Sequence, residues 1–130
     1  MFNKVFGDMN FHVGWKTKTE IVLWGKVYEI IVDAEAYYEN EEITSEQEVT
    51  YQTFTELKAE KQGVIESLLS SYYGDKITTE QFCEILRPTS LVINREGGCA
   101  LLFDDNEEPD NGLAAVIIPD EEIMTQDEYL

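Results

Sequence analysis

Cysteine and histidine are scarce in this chain: Cys83, Cys99 and His12 are all it has of either. Structural zinc sites draw their ligands from these residues, and most proton-transfer sites need an imidazole beside a nucleophile, so both classes are largely excluded. Cys83 and Cys99 stand 16 residues apart, which matches no zinc or redox spacing. His12 alternates with Phe11 and Val13 and is expected to point from a strand into solvent, with no nucleophile motif to serve. Apolar runs are short as well. None approaches the roughly 18 residues of a membrane-spanning helix, and Met1 to Phe11 lacks the apolar stretch of a secretory signal, so a cytoplasmic protein is expected. No glycine-rich phosphate loop is present, and Gly97-Gly98 reads as a plain hairpin turn. The most telling shortage is of bases. Nine Lys and Arg face 27 Asp and Glu, a formal net charge of −18. With no basic cluster to displace counterions, nucleic acid and anionic membrane surfaces are excluded as partners.

What is present is the composition of a folded protein. A hydrophobic fraction of 43% and an aromatic fraction of 12% argue against disorder despite the charge. A chain of 130 residues is read as one domain, 1–130, long enough to bury an ordinary core.

The acidity is concentrated. Residues 31–57 hold eight acids and no base, and residues 97–130 hold ten acids and no base, so these two segments account for the whole excess. Such density repels itself and costs stability. Two readings stay open: a solvated face that keeps the protein soluble, or a docking face for a basic protein. The docking candidates are Glu39, Glu41 and Glu42 in the first segment, and Asp104, Asp105, Glu107, Glu108 and Asp110 in the second.

The first third reads as a meander of strands. Thr19 to Trp24 and Val27 to Val32 are rich in β-branched and aromatic residues around a turn at Gly25-Lys26, with an earlier strand across residues 9–16 and strand character running on to Tyr37. The middle turns helical. Ser45 with Glu48, or Thr44 with Gln47, offers a capping box, and Phe54, Leu57, Val64, Ile65, Leu68 and Tyr72 recur at helical spacing as one buried face. The expected helix covers about residues 46–73, with Gly63 as a candidate bend and Gly74 as its stop. A short helix capped by Thr78 and Gln81, with Ile77 stapled to Phe82, ends before Pro88. Leu91 to Asn94, Cys99 to Phe103 and Leu113 to Ile118 then read as strands. The fold class is α+β: an antiparallel sheet, made of the N-terminal meander plus C-terminal strands, with one long and one short helix on one face.

The acidic stretch Asp104 to Gly112 invites a calcium loop, but the register fails. Starting from Asp104, the sixth and twelfth positions are Pro109 and Ala115, and from Asp105 they are Asp110 and Val116, where glycine and glutamate are required. No carboxylate pair is marked out for glycosidase-type work. In the doublets Tyr37-Tyr38 and Tyr72-Tyr73, one ring of each is expected in the core and the other in water. No catalytic residue, cofactor or metal is expected.

The segments Ile43-Thr-Ser-Glu-Gln47, Tyr72-Tyr73 and Leu101-Leu-Phe-Asp104 … Asp110-Asn-Gly-Leu-Ala114 together resemble a family of small acidic bacterial domains of unknown function. Members look like immunity proteins of polymorphic and contact-dependent toxin systems. The resemblance spans about residues 20–130 and implies a sheet, a long helix and a hairpin with an acidic turn. It implies no catalytic residue. The turn departs from related sequences in lacking a tryptophan. The resemblance implies an inhibitor of a basic toxin, a nuclease among the candidates, and the charge points the same way; a non-catalytic acidic interaction module unrelated to toxins is the alternative, and an enzyme with an unmarked carboxylate pair a third.

Overall fold

A computed structural model describes residues 1–74, 77–107, 110 and 112–130. Among them a small ribbon, β1 (Phe2–Asn3) with β2 (Gly7–Asp8), precedes a seven-stranded sheet in the order β3 (Asn10–Phe11), β4 (Trp15–Leu23), β5 (Lys26–Ala34), β6 (Leu86–Ile93), β7 (Cys99–Asp105), β8 (Leu113–Ile118) and β9 (Glu122–Thr125). Every neighbouring pair is antiparallel except β5 with β6, which runs parallel through Ile31↔Ser90 to Ala34↔Ile93. A parallel pair needs a long crossover. It is supplied by α1 (Ser45–Glu56), α2 (Lys58–Tyr73) and α3 (Thr79–Ile85), and α4 (Gln126–Tyr129) closes the chain. The α+β class holds; the sheet is mostly rather than wholly antiparallel.

The meander differs from expectation at its turns. Instead of one strand over 9–16, the chain reverses at Val13 (φ 51°) and Gly14 (φ 121°), and the His12 N–H donates to the Gly14 carbonyl at 2.8 Å. His12 lies exposed in that turn. The β4–β5 turn falls at Trp24-Gly25, one residue early, since Lys26 already pairs with Leu23. Both turn residues take positive φ, as a two-residue hairpin of matching twist requires. Tryptophan is a costly choice there, and packing offsets the cost: its ring stacks on Phe82 at 5.4 Å and lies 6.2 Å from Phe103. β5 stops at Ala34 rather than running to Tyr37.

Thr44, not Ser45, caps α1: its hydroxyl accepts from the Gln47 N–H and the Gln47 amide oxygen accepts from the Thr44 N–H. The long helix expected over 46–73 is two helices that meet at Leu57 (φ −108°, ψ 26°), not at Gly63. Two residues upstream, the Thr55 hydroxyl donates to the Gln52 carbonyl at 2.9 Å, a side-chain bond of the kind that bends helices. The break changes the buried row. Phe54 and Ile65 enter the core as expected, but Leu57 and Tyr72 are exposed, Val64 and Leu68 are half-buried, and Leu69 is buried instead. Gly74 ends α2 with φ 81°, and Thr78 with Gln81 caps α3 as read from sequence. α3 ends at Ile85, before Pro88 as expected, and Pro88 itself lies inside β6 beside a bulge, a position where its missing N–H does no harm.

The inward residues of the sheet and those of α1, α2 and α3 form one core. A smaller cluster, Val92, Ala100, Leu102, Ala114 and Val116, lies on the opposite face, where Met124 of β9 and Tyr129 of α4 cover it. Neither β9 nor α4 was expected. No described helix is long and apolar enough to cross a membrane.

Candidate docking surface

Strand direction decides where the acidic segments lie. Because β5 and β6 are parallel, the segment after Ala34 and the turn after Ile93 share one end of the sheet. β7 runs back along β6 with Asp105 opposite Leu86, so the β7–β8 turn lies at the other end. Eight residues of β6 separate the two, roughly 25 Å at about 3.3 Å per residue. Glu39, Glu41 and Glu42 are therefore one group, and Asp104, Asp105, Glu107 and Asp110 another; Glu108 lies outside the described residues. The fold does not bring the two groups together.

At the first end Glu41 is a brace. Its Oε1 accepts the N–H groups of Tyr37 (2.7 Å) and Tyr38 (2.9 Å), its carbonyl accepts the Trp15 indole N–H at 2.8 Å, and its Oε2 lies 3.8 Å from Arg95 Nη2. Arg95 in turn donates to the Glu35 carbonyl at 3.2 Å. The loop so tied holds Glu39 and Glu42 in solvent, and Tyr37 and Tyr38 stand 75% and 69% exposed. Neither ring enters the core, contrary to the expected split, because the strand that would have turned one inward ends at Ala34. The Tyr72-Tyr73 doublet does split: Tyr72 is exposed, while Tyr73 packs edge-on to Phe82 at 5.6 Å.

At the second end the carboxylates are partly engaged. Asp104 pairs with Arg87 at 3.0 Å across β6 and β7, both side chains being more than half exposed. Asp105 accepts the Glu107 N–H at 2.9 Å and the Tyr73 hydroxyl at 3.4 Å. Burial, then the Asp105 charge, pushes the Tyr73 phenol well up, so it stays protonated. Glu107 and Asp110 are exposed.

The turn between β6 and β7 carries more than Gly97-Gly98 announced. The Asn94 side-chain oxygen accepts the N–H groups of Glu96 (3.1 Å) and Gly98 (2.8 Å), the Thr44 hydroxyl donates to the Arg95 carbonyl (2.9 Å), and the Thr50 hydroxyl donates to the Gly97 carbonyl (2.7 Å). Gly97 has φ 95°, and a Cβ there would lie 3.0 Å from Thr50 Oγ1 and 3.2 Å from Glu46 Cβ, so only glycine lets the turn seat on α1. Between this turn, the first turns of α1 and the Ile118-Pro119 corner lies an open cleft of about 380 Å³. Glu46 and Glu96 stand on its walls, and neither was singled out in the sequence. The signals available were the thirds of a motif scattered over 75 residues: an acidic helix start, an Asn-x-x-Gly turn and a proline corner.

Glu35 lies below this region, half-buried. Burial first, and then the charges of Asp33 and Glu96, push its carboxyl above the usual carboxylate range, with Lys16 opposing. Lys16 itself pairs with Asp33. Cys99 is fully buried and burial pushes its thiol up, so it carries no thiolate reactivity. Among the described residues, no three His, Cys, Asp or Glu side chains are grouped to hold a metal ion. No protein-family model, no curated protein and no solved structure matches this chain.

Proposed function

We propose that this chain is a toxin-neutralising immunity protein: a non-catalytic, cytoplasmic domain that binds and blocks a basic bacterial toxin domain of the nuclease kind. The observation that carries the reading is the loop after β5, where two exposed tyrosines stand between carboxylates on a backbone tied to Trp15 and Arg95 through Glu41. Tyrosines are frequent anchors of protein interfaces, and a loop held in place before binding loses little freedom on binding. Dense carboxylates around such anchors match a basic nucleic-acid cleft, speed encounter and reject acidic partners. The second acidic end adds to the long-range field rather than to the same contact.

The test is association of the full chain with the basic C-terminal toxin domain encoded beside its own gene, followed by stopped flow at low and high salt. Nanomolar binding that inhibits the toxin, and that weakens in a Tyr37→Ala, Tyr38→Ala double variant, supports the reading. Absence of any neighbouring toxin domain, with binding instead to a different basic protein, favours the plain interaction module.

A further inference from the structure

The cleft beside α1 has the form of a socket for one side chain. Val49, Ile118 and Pro119 give it apolar walls, and Glu46 lines it from α1 and Glu96 from the β6–β7 turn, Glu46 also accepting the Ser45 hydroxyl at 2.8 Å. An apolar stem with a cationic head satisfies both halves, and no base among the described residues lines the cleft. We propose that this cleft seats an arginine side chain of a basic protein partner, its three methylenes against Val49, Ile118 and Pro119 and its guanidinium shared between Glu46 and Glu96. The inference rests on the docking reading above and names the residue type that reading requires.

Three observations favour this occupant. Charge is complementary: the chain carries −18 overall, and the cleft lies at the end of the sheet that also bears Glu39 and Glu42. The walls are fixed before binding, because Thr50, Asn94 and Thr44 hold the turn that carries Glu96. An anion attracted to the start of α1 is disfavoured, since the Thr44 hydroxyl caps that turn and Glu46 and Glu48 already oppose its positive end. Arginine suits two carboxylates carried by two adjoining elements better than lysine does, because its planar fork donates in two directions while an ammonium is a point charge.

The experiment is a 15N-HSQC titration of the whole chain with n-propylguanidinium, the arginine side chain cut at its backbone. n-Propylurea serves as the neutral isostere and n-butylammonium as the lysine counterpart. Saturable shifts at the amides of Val49, Thr50, Glu96 and Gly97 are expected with the guanidinium and not with the urea. Affinity should fall at least about tenfold in a Glu46→Gln, Glu96→Gln variant, since one charge-assisted pair is worth about that much and the variant removes both. A Val49→Trp variant should abolish the shifts with every charge retained; Val49 is 62% exposed, so the fold tolerates the change. Equal shifts from the urea, or unsaturable shifts spread equally over both acidic ends, overturn the proposal, as does an ammonium that binds as tightly as the guanidinium. A chain that binds its toxin but takes no guanidinium sinks the socket alone. One that takes the guanidinium but binds no basic protein sinks the docking reading, and with it the partner as the source of the arginine, while the guanidinium site itself stands.

Discussion

Thr50 and Gly97, 47 residues apart in sequence, are joined by a buried 2.7 Å hydrogen bond from hydroxyl to carbonyl, and this bond fixes the β6–β7 turn to α1. Thr50→Val removes the donor and leaves the carbonyl unpaired, which should cost about 1–3 kcal/mol in urea denaturation. Gly97→Ala should cost at least about 1–2 kcal/mol from the left-handed backbone alone. The control is Gly63→Ala. A Cβ at Gly63 meets nothing within 4 Å, so alanine there should stabilise α2 by about 0.5–1 kcal/mol.

The break at Leu57 sets which positions hold the helices to the sheet. Ile65→Ala and Leu69→Ala should each cost about 2–5 kcal/mol, since both residues are essentially inaccessible. Leu57→Ala should cost less than about 1 kcal/mol, because its side chain is 41% exposed. Chemical denaturation of the three variants distinguishes this register from a continuous helix, which reverses the order of Leu57 and Leu69.

Glu35 gives the stability a pH dependence of definite sign. Its carboxyl titrates above the ordinary range in the folded chain, chiefly through burial, so the native state holds that proton more tightly than the unfolded chain does. Its contribution is fully present below the ordinary carboxylate value of about 4.3 and is lost as pH rises through the raised value. Glu35→Gln should therefore raise Tm at neutral pH and flatten the profile of Tm against pH above that range. An unchanged Tm at pH 7 contradicts the assignment.

The two acidic ends should separate in binding kinetics. Replacing Asp104, Asp105 and Glu107 by their amides should lower the association rate and its salt dependence and leave the dissociation rate nearly unchanged, as for charges at a rim. Removing the Tyr37 and Tyr38 rings should raise the dissociation rate instead. Glu41→Ala should act through the loop: it should destabilise the fold by about 1 kcal/mol, whereas Glu39→Ala and Glu42→Ala should stay within about 0.5 kcal/mol.

Local chemistry was legible in the sequence where it acted within a few residues. The boxes at Thr44 and Thr78, the stop at Gly74 and the strands around Leu101 and Ala115 all follow from neighbours along the chain. Legibility ended where contacts cross the sheet. Trp24 takes a turn position because Phe82 receives its ring, and Leu69 displaces Leu68 from the core because the helix breaks at Leu57. β9 was hidden because it is only four residues long and half-buried on both faces, Ile123 against the main core and Met124 against the smaller cluster, so it shows no alternation to read. The acidic segments were found by counting, but their separation depends on one parallel strand pair, which no count can supply.

That parallel pair also divides the order of assembly. β3 to β5 and β6 to β9 are each made of hairpins whose partners are close along the chain, so each half can pair by itself through short loops. The junction between them aligns four residues of β5 with four of β6 across more than fifty intervening residues. Closing so long a loop gives up chain freedom before the contacts form, so the seam is where folding should be slowest. Amide exchange at Asp33 and Leu91 reports that closure, because their N–H groups face each other's strand and gain no partner until the helices have crossed between them.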